Sequence, residues 1–92
     1  MSWKTEFPYY DGEFYCPEGW VDRSWHNDVC PHIEKRTDNV AILVWQNYED
    51  EDMREFEYKY AFHIEVDGDC VFDYVTNDWI DVLELMQSVK ME

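Results

Sequence analysis

Phe56-Glu57-Tyr58-Lys59-Tyr60-Ala61-Phe62-His63-Ile64-Glu65-Val66-Asp67-Gly68-Asp69-Cys70-Val71-Phe72-Asp73-Tyr74 is the stretch that decides the fold. From Phe56 to Val66 every second residue is a large apolar one, and a period of two is the mark of a half-buried strand. The alternation predicts a strand over about 54–66, with Phe56, Tyr58, Tyr60, Phe62, Ile64 and Val66 facing inward. Asp67-Gly68 follows, a dipeptide suited to a type I′ turn, in which both central residues need positive φ. Cys70, Phe72 and Tyr74 continue the alternation as a return strand over about 69–75.

Upstream, Val40, Ile42 and Val44 alternate with Ala41, Leu43 and Trp45. Both sets are apolar, which predicts a strand over about 39–48 covered on both faces. It pairs antiparallel with 54–66 across the acidic run Glu49-Asp50-Glu51-Asp52. Downstream, Thr76-Asn77-Asp78 supplies helix-capping side chains. A helix is expected over about 77–91, with a broad apolar stripe of Trp79, Ile80, Val82, Leu83, Leu85, Met86 and Val89. Asp78 and Asp81 in its first turn and Lys90 near its end suit the helix dipole. The N-terminal third is less regular. Residues 9–15 suggest a short hairpin around Asp11-Gly12. Residues 22–29 suggest a short helix stopped by Pro31. This layer is expected to cover the second face of the 39–48 strand. The fold class is α+β: an antiparallel meander packed with a C-terminal helix, in one acidic domain, 1–92.

The chain of 92 residues has 22 Asp and Glu against 7 Lys and Arg, a formal charge of -15. Such acidity in a polar chain suggests disorder, but apolar residues make up 46% here and aromatics 18%. That surface supports an ordered core beneath a shell of carboxylates. Seven scattered cations cannot neutralise a phosphate backbone, so direct nucleic-acid binding is not expected. Adhesion to an anionic membrane is disfavoured for the same reason. The longest unbroken apolar run, residues 40–45, falls far short of the ~20 residues of a membrane-spanning helix. The first residues contain no apolar core of a secretory signal. Three cysteines fit no disulfide framework. A cytoplasmic setting is expected.

No nucleophile elbow, phosphate loop or dinucleotide turn occurs, and no enzyme is expected. Eleven Asp and eleven Glu make carboxylate pairs too common to mark an acid–base site. Cys16, His26, Cys30 and His32 lie within seventeen residues and match the ligand types of a Cys2His2 zinc site. Their spacing follows no established zinc pattern. Zinc is therefore a secondary expectation, in which a small zinc-stabilised module has a regulatory role.

The anionic surface is the stronger candidate. Glu55, Glu57, Glu65 and Asp67 fall on the face of the 54–66 strand opposite its aromatics, with Lys59 as its only cation. Alternate strand residues lie about 6.8 Å apart, comparable to phosphate spacing along a nucleic acid. Glu49, Asp50, Glu51 and Asp52 extend this row, and Asp69 and Asp73 add to it from the next strand. A charge of -15 exceeds the magnitude of ~2 to 8 that solubility of a small domain requires. The excess costs folding free energy by self-repulsion, which favours a cationic partner as its reason.

In size, charge and aromatic content the chain resembles small phage-encoded inhibitors of host defence, such as anti-restriction and anti-CRISPR proteins. The resemblance is one of composition. It implies a partner class, a basic protein or ribonucleoprotein surface in the cytosol of a host cell, and transfers no site residue. The leading expectation is a non-enzymatic inhibitor that mimics nucleic acid. The alternative is an immunity or antitoxin protein for a nuclease toxin, with Trp3, Tyr9 or Tyr10 as aromatic anchors. The chain is a monomer or a homodimer, the latter through Trp79, Leu85 and Val89 of the C-terminal helix.

Overall fold

A computed structural model describes residues 3–54 and 56–89. The chain forms α1 (Trp3–Glu6), β1 (Val21–Asp22), β2 (His32–Arg36), β3 (Val40–Gln46), a 3-10 turn (Glu51–Met53), β4 (Tyr60–Val66), β5 (Asp69–Thr76) and α2 (Trp79–Ser88). The five strands make one antiparallel sheet in sequence order, β1-β2-β3-β4-β5. With α2 packed on one face, the architecture is the α+β arrangement that the alternation predicts.

The β4–β5 hairpin turns where expected. Asp67 and Gly68 both have positive φ, 52° and 86°. Beyond the turn, Ile64 pairs with Phe72 and Glu65 with Cys70, so Val71 is the extra residue of a β-bulge. Even-numbered residues of β3 and β4 supply the core: Ile42, Val44, Tyr60 and Phe62, joined by Ile33 of β2 and Val82 of α2. At the helix start the Asp78 carboxylate accepts from the Ile80 N–H at 3.0 Å. The Thr76 hydroxyl donates to Asp81 at 2.7 Å and accepts from the Asp78 N–H. Trp79, Leu85 and Val89, the residues a homodimer would use, pack against this core; Ile80 is the exposed apolar residue of α2. The expectation for Lys90 lies outside the described residues.

Strand β4 is shorter than its alternation predicts. Residues 56–59 bend rather than extend. The buried Asn47 amide donates to the carbonyls of Phe56 at 3.0 Å and Tyr58 at 3.1 Å, taking up main-chain groups that a longer ladder would use.

The N-terminal third contains a helix and a strand pair, but at other residues than expected. The helix is α1, and the strand pair is β1 with β2. No helix forms over 22–29, because side chains claim its main-chain donors. Asp22 accepts from the Ser24 N–H at 3.0 Å, and Glu6 accepts from the His26 N–H at 3.2 Å. No hairpin forms over 9–15 either, since that segment is committed to tertiary contacts. Buried Gln46 accepts from the Tyr15 N–H at 2.8 Å and donates to the Tyr15 carbonyl at 2.6 Å. Phe14 and Trp20 pack on the core, and Tyr15 stacks on Trp79 at 4.5 Å. Phe14, Tyr15 and Trp20 thus cover the same face as α2, and the layer reaches the second face at its margin, through Val29. Ten helical residues cannot blanket five strands, and Phe14 and Trp20 fill the remainder.

The second face carries Leu43, Trp45, Ala61, His63, Glu65, Asp73 and Val75, with Val29 and Phe56 at its margin. It is a half-covered groove of about 460 Å³ rather than a solvated charged face. No helix among the described residues is long and apolar enough to cross a membrane.

Candidate functional site

The acidic run 49–52 sits on a loop held by groups from three directions. Asp11 Oδ1 accepts from the Glu49 N–H at 2.8 Å, and Asp11 Oδ2 from the Asp50 N–H at 2.9 Å. Arg54 donates through Nε to the Tyr48 carbonyl at 2.6 Å and through a terminal nitrogen to the Glu49 carbonyl at 3.1 Å. Asp50 caps the 3-10 turn by accepting from the Asp52 N–H at 3.0 Å. The main chain is therefore tied at Glu49, Asp50 and Asp52, and Glu49, Glu51 and Asp52 remain exposed. Burial opposes ionisation of Asp11, but the two loop N–H groups outweigh it and hold its carboxyl below the usual range.

Lys59 lies beneath this loop. It was expected to be the cation of an outward row, yet its side chain is 4% exposed. Its Nζ donates to the Tyr10 hydroxyl at 2.9 Å and lies 5.3 Å and 4.7 Å from the ring centroids of Tyr10 and Tyr60. Glu49 Oε1 is 3.8 Å away. Burial pulls the ammonium pKa down, while Glu49 resists. The same burial raises the Tyr10 phenol, and lifts Tyr60 to about 12. A cation thus supports the acidic loop from within rather than neutralising its outer surface.

The nine acidic candidates among the described residues do not form one row. Glu49, Asp50, Glu51, Asp52 and Glu57 gather at the loop end of the sheet. Glu57 follows the bend, out of line with Glu65. Asp67 and Asp69 lie at the β4–β5 turn, across the seven residues of β4, about 20 Å away at 3.4 Å per residue. Glu65 and Asp73 line the second-face groove, and Asp73 lies 3.4 Å from His63 Nε2. Glu55 lies outside the described residues. Asp11 and Glu13 belong to the loop end as well: both carboxylates, with Glu49, raise the pKa of neighbouring tyrosines. Sequence reading missed them because Asp11-Gly12 is an equally good turn signal.

The zinc candidates go separate ways. Cys16 donates to the Trp20 carbonyl, His26 contacts Glu6 at 2.9 Å, Cys30 is buried with its thiol raised to about 12 by burial, and His32 stacks on Trp45 at 4.2 Å. Among the described residues no group of three or more His, Cys, Asp or Glu side chains converges on a point that holds a metal.

Comparison of the chain with protein-family models, with curated proteins and with solved structures returned no match.

Proposed function

We propose that this protein is a non-enzymatic inhibitor whose ordered carboxylates dock on a basic, nucleic-acid-binding surface of a cytosolic protein or ribonucleoprotein. The observation that carries this reading is the acidic loop 49–52: its main chain is tied by Asp11, Asp50 and Arg54, Glu49 leans toward Lys59, and Glu51 and Asp52 are exposed to solvent. Carboxylates already fixed in place lose less entropy on docking than those of a mobile tail. The formal charge of -15 adds long-range attraction to a cationic partner. An immunity role toward a nuclease toxin uses the same physics, and Tyr9, 80% exposed, is the anchor it would employ.

The test is affinity capture from extract with the native chain and with a variant carrying Glu49→Gln, Asp50→Asn, Glu51→Gln and Asp52→Asn. The native chain is expected to retain a basic protein that added duplex nucleic acid releases, and the variant to lose it. Equal retention by both chains, or indifference to nucleic acid, would overturn the reading. A retained protein that is a toxin nuclease selects the immunity alternative.

A further inference from the structure

Strand β5 ends the sheet, and its burial is unlike that of any other strand. Residues 69–75 are all exposed, including Val71 at 61%, Phe72 at 40%, Tyr74 at 43% and Val75 at 39%. No described strand lies beyond it. The ladder also shows which main-chain groups it leaves free. The Asn47 N–H donates to the Lys59 carbonyl, and the Asp67 N–H to the Asn39 carbonyl, at the two ends of the β3–β4 pairing. Hydrogen-bonded pairs alternate with non-bonded ones in an antiparallel ladder. Residues 61, 63 and 65 therefore address β3, and 60, 62 and 64 address β5. Their partners Thr76, Tyr74 and Phe72 face inward. The N–H and C=O groups of Asp73 and Val75 face outward.

Edge strands are ordinarily blunted by lysine, proline, bulges or charge. This one has no lysine or proline, and its protection is the bulge at Val71 with Asp69 and Asp73. That protection is selective. A second copy would bring another -15 and set two pairs of Asp69 and Asp73 along one edge. A cationic strand meets no such barrier. Beside the edge, the second-face groove has an apolar floor of Leu43, Trp45, Ala61 and Val75 and carboxylates at Glu65 and Asp73. An apolar floor with an acidic rim fits the aliphatic stem and charged head of lysine or arginine.

We propose that β5 takes an extended, lysine- or arginine-bearing segment of a partner protein as an added strand, with alternate basic side chains lying along the second-face groove. The proposal rests on the cationic-partner reading above and names the recognition mode. Main-chain hydrogen bonds supply affinity and the alternating side chains supply selectivity.

The probes are two peptides of equal charge, each about eight residues long, the length of an ordinary strand. One alternates lysine with valine and the other lysine with glycine. The native chain is expected to bind the valine peptide at least tenfold more tightly. Amide exchange at Asp73 and Val75 should slow on binding. Val75→Pro removes one outward donor at an exposed edge and should abolish that preference while leaving the unfolding midpoint in place. Should Val75→Pro prove unfolded, the valine peptide methylated on alternate main-chain nitrogens is the second readout, expected to bind like the glycine peptide. Equal binding of the two parent peptides overturns strand addition and leaves the cationic-partner reading standing. Binding of neither peptide, at low salt, overturns both. A native chain that is already a dimer with Asp73 and Val75 protected shows that a second copy owns the edge, and the proposal fails.

Discussion

Lys59 places an ammonium group among two tyrosine rings and a phenolic hydroxyl directly below the acidic loop. Removing it leaves the Tyr10 hydroxyl without its partner and opens a void. Lys59→Ala is expected to cost about 2–4 kcal/mol, and Lys59→Met, which keeps the stem, roughly 1–2 kcal/mol. Urea unfolding of the two variants checks the order; equal or negligible losses would contradict the packing account. Asp11 acts at the loop's main chain. Asp11→Ala should cost about 1–2 kcal/mol and speed amide exchange at Glu49 and Asp50 selectively. Unchanged exchange there would show that the loop does not depend on it. His32 carries a pH signature. Burial lowers its pKa, outweighing Asp28 and Glu34, and its Nδ1 has no hydrogen-bond partner among the described residues. Below the ordinary value of about 6.5 the unfolded chain binds a proton that the folded chain resists. The stability this group contributes is present above that pH and is lost as pH falls through it. Replacing it by His32→Gln should therefore flatten the dependence of unfolding free energy on pH between about 7 and 5; an unchanged slope would remove His32 as the cause.

The elements divide by how local their signals are. The β4–β5 hairpin and α2 were legible because alternation, Asp67-Gly68 and the Asp78 cap all act within a few residues. The cap predicts that Asp78→Ala lowers stability by about 1 kcal/mol, measured by thermal unfolding; no loss would mean that Thr76 and Asp81 hold the helix start alone. The start of β4 was not legible, since Phe56 and Tyr58 keep the period while Asn47, distant in sequence, takes their carbonyls. Lys59 read as outward by parity and is buried because Tyr10 reaches it across 49 positions. Likewise α1 and β1 are fixed by Asp22 and Glu6 bonding to main-chain groups far along the chain. Of the acidic candidates, the 49–52 loop was legible as a charge run. Its ordering was not, because Asp11 supplies it from the N-terminal third.

At the scale of the whole molecule, the fold carries far more negative charge than its interior offsets. Arg54 is engaged with loop carbonyls and Lys59 is buried, so neither neutralises the outer surface. Like-charge repulsion then opposes folding, and screening relieves it. The unfolding midpoint should rise as sodium chloride increases from low concentration, and a fall would mean that attractive ion pairs dominate. The same surface attracts a cationic partner at long range. The most direct measurement is the affinity of the native chain for its captured basic partner across a series of salt concentrations. The account predicts a steep loss of affinity with added salt, and a shallower dependence when residues 49–52 are neutralised. Affinity that stays level from low to high salt would contradict it.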